Sequence, residues 1–282
     1  MHLPPERIEY LGAWCKDLFG TPTCRRTRRV KPLASSRAWL PLAKGEGRAA
    51  ELPTGEAFRT EWIDFSHGIR VGNIEPHERI TQILKFHLEQ RHRTPFVTDR
   101  WGRGVYWQWI CWLPRANREA KPQSHDVNFG CAKLFISVEQ ESKVFKSGLQ
   151  IERGYAVGPE PYPGCLLKDD WDWHRLIGQC KAGSALDKEL HRLIEREGFV
   201  VEVGDFESNA VFTKKNFRSA RQIRDAVKDY SKREWAGFQL YYPMPESEVR
   251  TCTGLELVKA ICGVFAEVTP TMNCCMQVKL LT

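Results

Sequence analysis

The chain has 282 residues, 42 Lys and Arg against 35 Asp and Glu, 42% hydrophobic and 11% aromatic residues, which excludes disorder and collagen-like repeats and suffices for one large core or two modest ones. No window of about 18 apolar residues occurs, so no membrane-spanning helix is expected, and the first residues lack the basic-then-apolar order of a secretion signal. The expectation is an intracellular protein whose ten cysteines are reduced, and whose net charge of +7 comes mostly from residues 1–50, with ten basic side chains to four acidic.

Ile8, Leu11, Trp14, Cys15 and Leu18 are spaced for a short amphipathic helix, which Gly20 and Pro22 end. Residues 21–55 are rich in Pro, Gly, Ser, Ala and Arg and read as an arm or lid, giving a boundary between 1–55 and a core over 56–282 that could divide again near 154–167. Arg25, Arg26, Arg28, Arg29 and Lys31 lie within seven residues that contain no acid. Guanidinium groups pair with phosphates and release counterions, so this run reads as a phosphate-binding arm. Its bland counterpart is a solvated loop, or one anchored to acids of the same protein.

A helix opens at Pro76, with Ile80, Ile83, Leu84, Phe86 and Leu88 on its face. Residues 105–113 are β-branched and aromatic on both alternating faces apart from Gln108, as in a central strand. Residues 131–140 and 144–153 form an expected antiparallel hairpin around Glu141, Ser142 and Lys143. Helices are expected over 168–181 and 184–197, then a strand over 199–203. Ser219-x-x-Gln222 and Thr253-x-x-Glu256 resemble capping boxes, in helices running to about 233 and 268, the second stopped by Pro270. A strand over 238–242 lies between them. The order favours an α+β fold: a mainly antiparallel, aromatic-rich central sheet with flanking helices, preceded by the basic arm.

Four groups of residues could carry chemistry. Arg218, Arg221 and Lys228 give the helix expected over 214–233 a basic face that suits phosphates, although Asp225 also suits ordinary surface pairing. Trp101 and Trp112 stand at ends of the aromatic sheet, where a ring could stack a base; buried rings would simply fill the core. Asp126, Glu141 and Lys143 imitate the carboxylate…Glu-x-Lys pattern of nucleases that use Mg²⁺ or Mn²⁺, but Glu141 and Lys143 fall in a turn where that chemistry wants a strand. No Cys-x-x-Cys supports zinc, and neither His125-Asp126 nor Asp172-Trp173-His174 has a visible nucleophile partner. Gln150 and Glu152 share one side of their strand and are expected to face solvent.

The reading that joins most of these residues is a nucleic-acid-binding or accessory subunit of a nucleic-acid-processing or defence system, needing no cofactor. The alternatives are a divalent-metal nuclease, and a protein-interaction subunit whose exposed tail, residues 272–282, docks on a partner.

Overall fold

Alternating β-branched and aromatic residues turn the middle of the chain into strand, and residues from both ends complete the sheet. The computed structural model describes residues 52–124, 128–157, 165–204, 209–228, 232 and 235–282. The expected first helix, the basic arm and Asp126 lie outside them. Contacts divide the chain into two units, Met1–Leu52 and Pro53–Thr282, and the sheet and its helices belong to the second.

The strands are β1 (Ile63–Asp64), β2 (Gly68–Arg70), β3 (Phe96–Arg103), β4 (Tyr106–Pro114), β5 (Lys133–Glu139), β6 (Val144–Gly154), β7 (Val200–Gly204), β8 (Asn209–Phe212) and β9 (Ala236–Pro245). They form one sheet in the order β1-β2-β4-β5-β6-β9-β7-β8, with β3 also on β4, and every ladder is antiparallel. The helices among the described residues are α1 (Ile80–His92), α2 (Arg115–Glu119), α3 (Asp172–Gln179), α4 (Ala185–His191), α5 (Arg221–Lys228), α6 (Glu246–Thr251) and α7 (Gly254–Cys275). The fold is α+β. No described helix is long and apolar enough to cross a membrane.

The helix α7 crosses β6 and β9 and packs beside α1, α3 and α4, so one face of the sheet is closed by helices. Ile110, Trp112, Leu134, Ile136, Leu149, Ile151, Phe238 and Leu240 fill this side. Trp112 ties the layers together: its ring lies 5.8 Å from that of Phe265, and its Nε1 donates to the Thr81 carbonyl at 3.2 Å. Burying a side chain of this size contributes roughly 2–3 kcal/mol through the area removed from water.

Two helix expectations need correction. Pro270 does not end the last helix, which runs on to Cys275. Proline removes an amide, which leaves the Ala266 carbonyl without its helical donor, but the turn around it is held from outside and within: the Arg192 guanidinium donates to the Glu267 carbonyl at 3.0 Å and Thr269 Oγ1 to the Phe265 carbonyl at 2.6 Å. Burial of Thr271, Met272 and Cys275 then holds the final turn in place. The helix expected from 214 begins only at Arg221 because side chains take the amides before it. Asn216 Oδ1 accepts from Thr213 N, Gln222 Oε1 from Arg218 N and Ser219 N, and Asp187 Oδ1 from Ala220 N.

The tail beyond α7 is pinned through its backbone, while Gln277, Val278, Lys279, Leu281 and Thr282 remain exposed. Asn117 Oδ1 accepts from Gln277 N and Val278 N, both at 3.2 Å, and Asn273 pairs with Leu280 N and O. His92 Nδ1 donates to the Leu281 carbonyl at 2.7 Å, while its buried Nε2 has no hydrogen-bond partner. Burial holds His92 below its ordinary value of 6.5, against the Leu281 bond and with help from the Arg91 charge. The unfolded chain therefore takes up this proton first, so His92 leaves stability unchanged above about pH 6.5 and lowers it as the pH falls further. Thermal unfolding followed from about pH 8 to about pH 5 should show a smaller acid loss in His92→Asn than in the wild type.

Candidate nucleic-acid interface

The second face of the sheet carries the cations and rings. Ile69 lies in the core under the helices, so strand alternation turns its neighbour Arg70 to the other side. Register places Arg70 of β2 directly opposite Tyr106 of β4, and Arg103 of β3 opposite Tyr106 from the other flank. The result is an Arg70–Tyr106–Arg103 row across three strands, with the arginine backbones two strand spacings, about 10 Å, apart. In the next row on this face Trp101 stands opposite Trp109.

Local sequence builds this end of the sheet. Gly104 takes φ +59 as the first residue of the two-residue loop between Arg103 and Tyr106, a position that favours glycine. Gly102 has φ +155 and lies so near β4 that a Cβ would come within 2.5 Å of the Trp107 Cα. The register shifts after Trp101, leaving Gln108 as the extra residue of a bulge. This puts Tyr106 and Trp109, three positions apart, on the same face.

The surroundings add charge and a further ring. His67 reaches Tyr106 from the β1–β2 turn, with centroids 5.5 Å apart and planes tilted by 37°. Asp64 holds it there, accepting from His67 Nδ1 at 2.8 Å and from the Ser66 and His67 amides at 2.7 and 3.1 Å. Burial would raise the Asp64 pKa, but these bonds outweigh it and the carboxyl is held below its ordinary value. The Arg100 guanidinium lies 4.3 Å over the Trp107 ring. Arg100 and Arg103 are exposed, and Arg70, Trp101, Tyr106 and Trp109 are half-buried. Among the described residues neither Arg70 nor Arg100 pairs with a carboxylate, and Arg70 Nε is buried without a hydrogen-bond partner. Asp64 is engaged by His67, and Asp99 of β3 accepts from the Arg100 amide at 2.8 Å and from Asn128 Nδ2 at 2.9 Å.

A polar chain runs from this platform into the interior. Trp109 Nε1 donates to Gln150 Oε1 at 2.7 Å, Gln150 Nε2 donates to Glu152 Oε1 at 3.3 Å, and Glu152 Oε2 accepts from Lys133 Nζ. Gln150 and Glu152 therefore do not face solvent as expected: Glu152 is 4% exposed and Lys133 1%. Burial disfavours the Lys133 charge, but Glu152 and then Cys111 outweigh it, and the ammonium is held above its ordinary range. Burial also raises Glu152, with Lys133 opposing it. The ionised pair is the better description, because both groups share a direct bond and Lys133 lies 5.6 Å from the Trp109 ring and 5.4 Å from that of Phe129.

The residues expected to act together are dispersed. Trp101 lies in the platform, but Trp112 is fully buried under α7 and cannot meet a base. Arg218, Arg221 and Lys228 are exposed, with Arg218 donating to the Phe217 and Lys215 carbonyls and the other two sharing Asp225. They belong to the other edge and the helical face, since α5 packs on β7, four strand spacings or about 19 Å from β4. Glu141 lies in the β5–β6 turn, where Lys143 has φ +54 and donates to the Phe65 carbonyl at 3.0 Å.

Asp172 is a buried structural carboxylate, and His174 Nε2 is hydrogen-bonded to the Lys168 carbonyl at 3.1 Å. Burial raises the thiols of Cys111, Cys131, Cys180, Cys262, Cys274 and Cys275, the opposite of what a nucleophile needs. Among the described residues no three His, Cys, Asp or Glu side chains gather for a metal. No protein-family model, curated protein or solved structure matches the chain.

Proposed function

We propose that this chain binds nucleic acid, with Arg70 and Arg103 holding phosphates on either side of Tyr106. The observation that supports this reading is the cross-strand row itself: two guanidiniums flank an aromatic ring, and Asp64 beside that ring is already bonded to His67. Guanidiniums bind phosphate oxygens bidentately. The exposed cations around α5 face elsewhere; their part in this reading is long-range attraction of the polyanion. The nuclease alternative draws no support from the placement of Glu141 in a turn and of the Lys143 amine on a carbonyl.

Binding of a labelled oligonucleotide should weaken steeply between about 50 mM and 200 mM salt. Arg70→Ala/Arg103→Ala should lower the affinity about tenfold at the lower salt and reduce the slope of log K against log salt by about 1–2. Salt-independent binding would remove the phosphate reading, and an unchanged slope in the variant would place the contact elsewhere on the protein.

A further inference from the structure

We infer that the ligand of the platform is a single strand, with one unpaired base stacked on Tyr106. This rests on the nucleic-acid reading above and adds what the cations alone do not require. Phosphate attraction needs only charge, yet the ring between Arg70 and Arg103 is Tyr106, and the rings of His67 and Trp101 lie beside it. A base has a π-face whatever its identity, so rings and guanidiniums arranged in this way favour unpaired nucleotides without reading sequence. In a duplex those faces are stacked on each other, and a base must be extruded before a protein ring can reach it.

The arrangement also explains how Tyr106 is held. His67, with its side chain 67% exposed, is fixed against the tyrosine by Asp64. Arg70 and Arg103 occupy the two neighbouring strands, so a strand of nucleic acid crossing β2, β4 and β3 meets cation, ring and cation in turn. The Trp101–Trp109 row lies about 7 Å further along the strands. Trp109 is bonded inward to Gln150, which fixes that row beside Tyr106.

The test compares three fluorescent probes with the full chain: an oligothymidylate of about 12 nucleotides, an abasic strand of the same length, and a duplex of that length. The expected result is that the oligothymidylate binds about tenfold more tightly than the abasic strand, which keeps the phosphates and lacks the bases, and more tightly than the duplex. Tyr106→Leu should erase the advantage over the abasic strand and leave abasic binding unchanged, whereas Tyr106→Phe should keep it. Circular dichroism melting of both variants checks that they fold. Salt-sensitive binding that is equal for the first two probes, or tighter for the duplex, would overturn the stacking inference and leave the nucleic-acid reading standing. Absence of salt-sensitive binding to all three would overturn both.

Discussion

Lys133→Met is expected to lower the free energy of unfolding by about 3–5 kcal/mol, because it strands a carboxylate inside the protein. Glu152 lies 4% exposed on β6, with the Lys133 amine and the Gln150 amide as its polar partners. The cost of breaking the pair differs from the value of having it. A Lys133→Met/Glu152→Leu chain leaves no charge unpaired, so most of the lost stability should return, although Gln150 loses an acceptor. Urea unfolding of both single variants and the double variant measures this coupling. A loss under about 1 kcal/mol in Lys133→Met would show that Glu152 is not ionised in the fold.

Asp172→Ala should be similarly severe, at about 3–5 kcal/mol, and its effects should reach the carboxyl terminus. Asp172 and Lys121 are both 0% exposed at their side chains and pair at 2.9 Å. Asp172 Oδ2 also accepts from the Ala132 amide at 2.7 Å and from Asn117 Nδ2 at 2.8 Å. Removing the carboxylate leaves an ammonium and two further donors buried. Asn117 is also the residue whose oxygen takes the Gln277 and Val278 amides, so its release should loosen the tail. Denaturant unfolding together with limited proteolysis near residues 276–282 would register both effects. Asp172→Asn retains an acceptor for Ala132 and should cost less than the alanine variant; equal losses would mean that those hydrogen bonds contribute nothing beyond the charge.

What could be read from the sequence was local. β4 announced itself through β-branched and aromatic residues, and β5 and β6 through two such runs around a short polar turn. The Thr253–Glu256 box appears with both of its reciprocal bonds. β1 and β2, of two and three residues, are too short to show alternation. β3 contains Thr98, Asp99, Arg100, Gly102 and Arg103 and becomes a strand because β4 pairs along its whole length. The aromatic run and Trp101 beside Arg103 were visible, but not the part of Arg70, which meets Tyr106 through a register that no local pattern fixes. Gln150 and Glu152 looked like solvent-facing groups for a related reason: burial is decided by what packs over a strand. Pro270 was misread because the helix around it is held by contacts remote in sequence, such as Arg192 on the Glu267 carbonyl and the burial of Met272 and Cys275.

The pairing of β6 with β9 sets a timetable for synthesis. β6 ends at Gly154 and its partner begins at Ala236, so the central ladder of the sheet cannot close until some eighty further residues have left the ribosome. At about 5–20 residues per second, the edge of β6 waits roughly 4–16 seconds without its neighbour. That edge belongs to an eleven-residue strand whose finished form is buried for most of its length. An open strand of this kind is a template for pairing with another chain. The nascent protein is therefore most exposed to misassembly in the interval between these two strands.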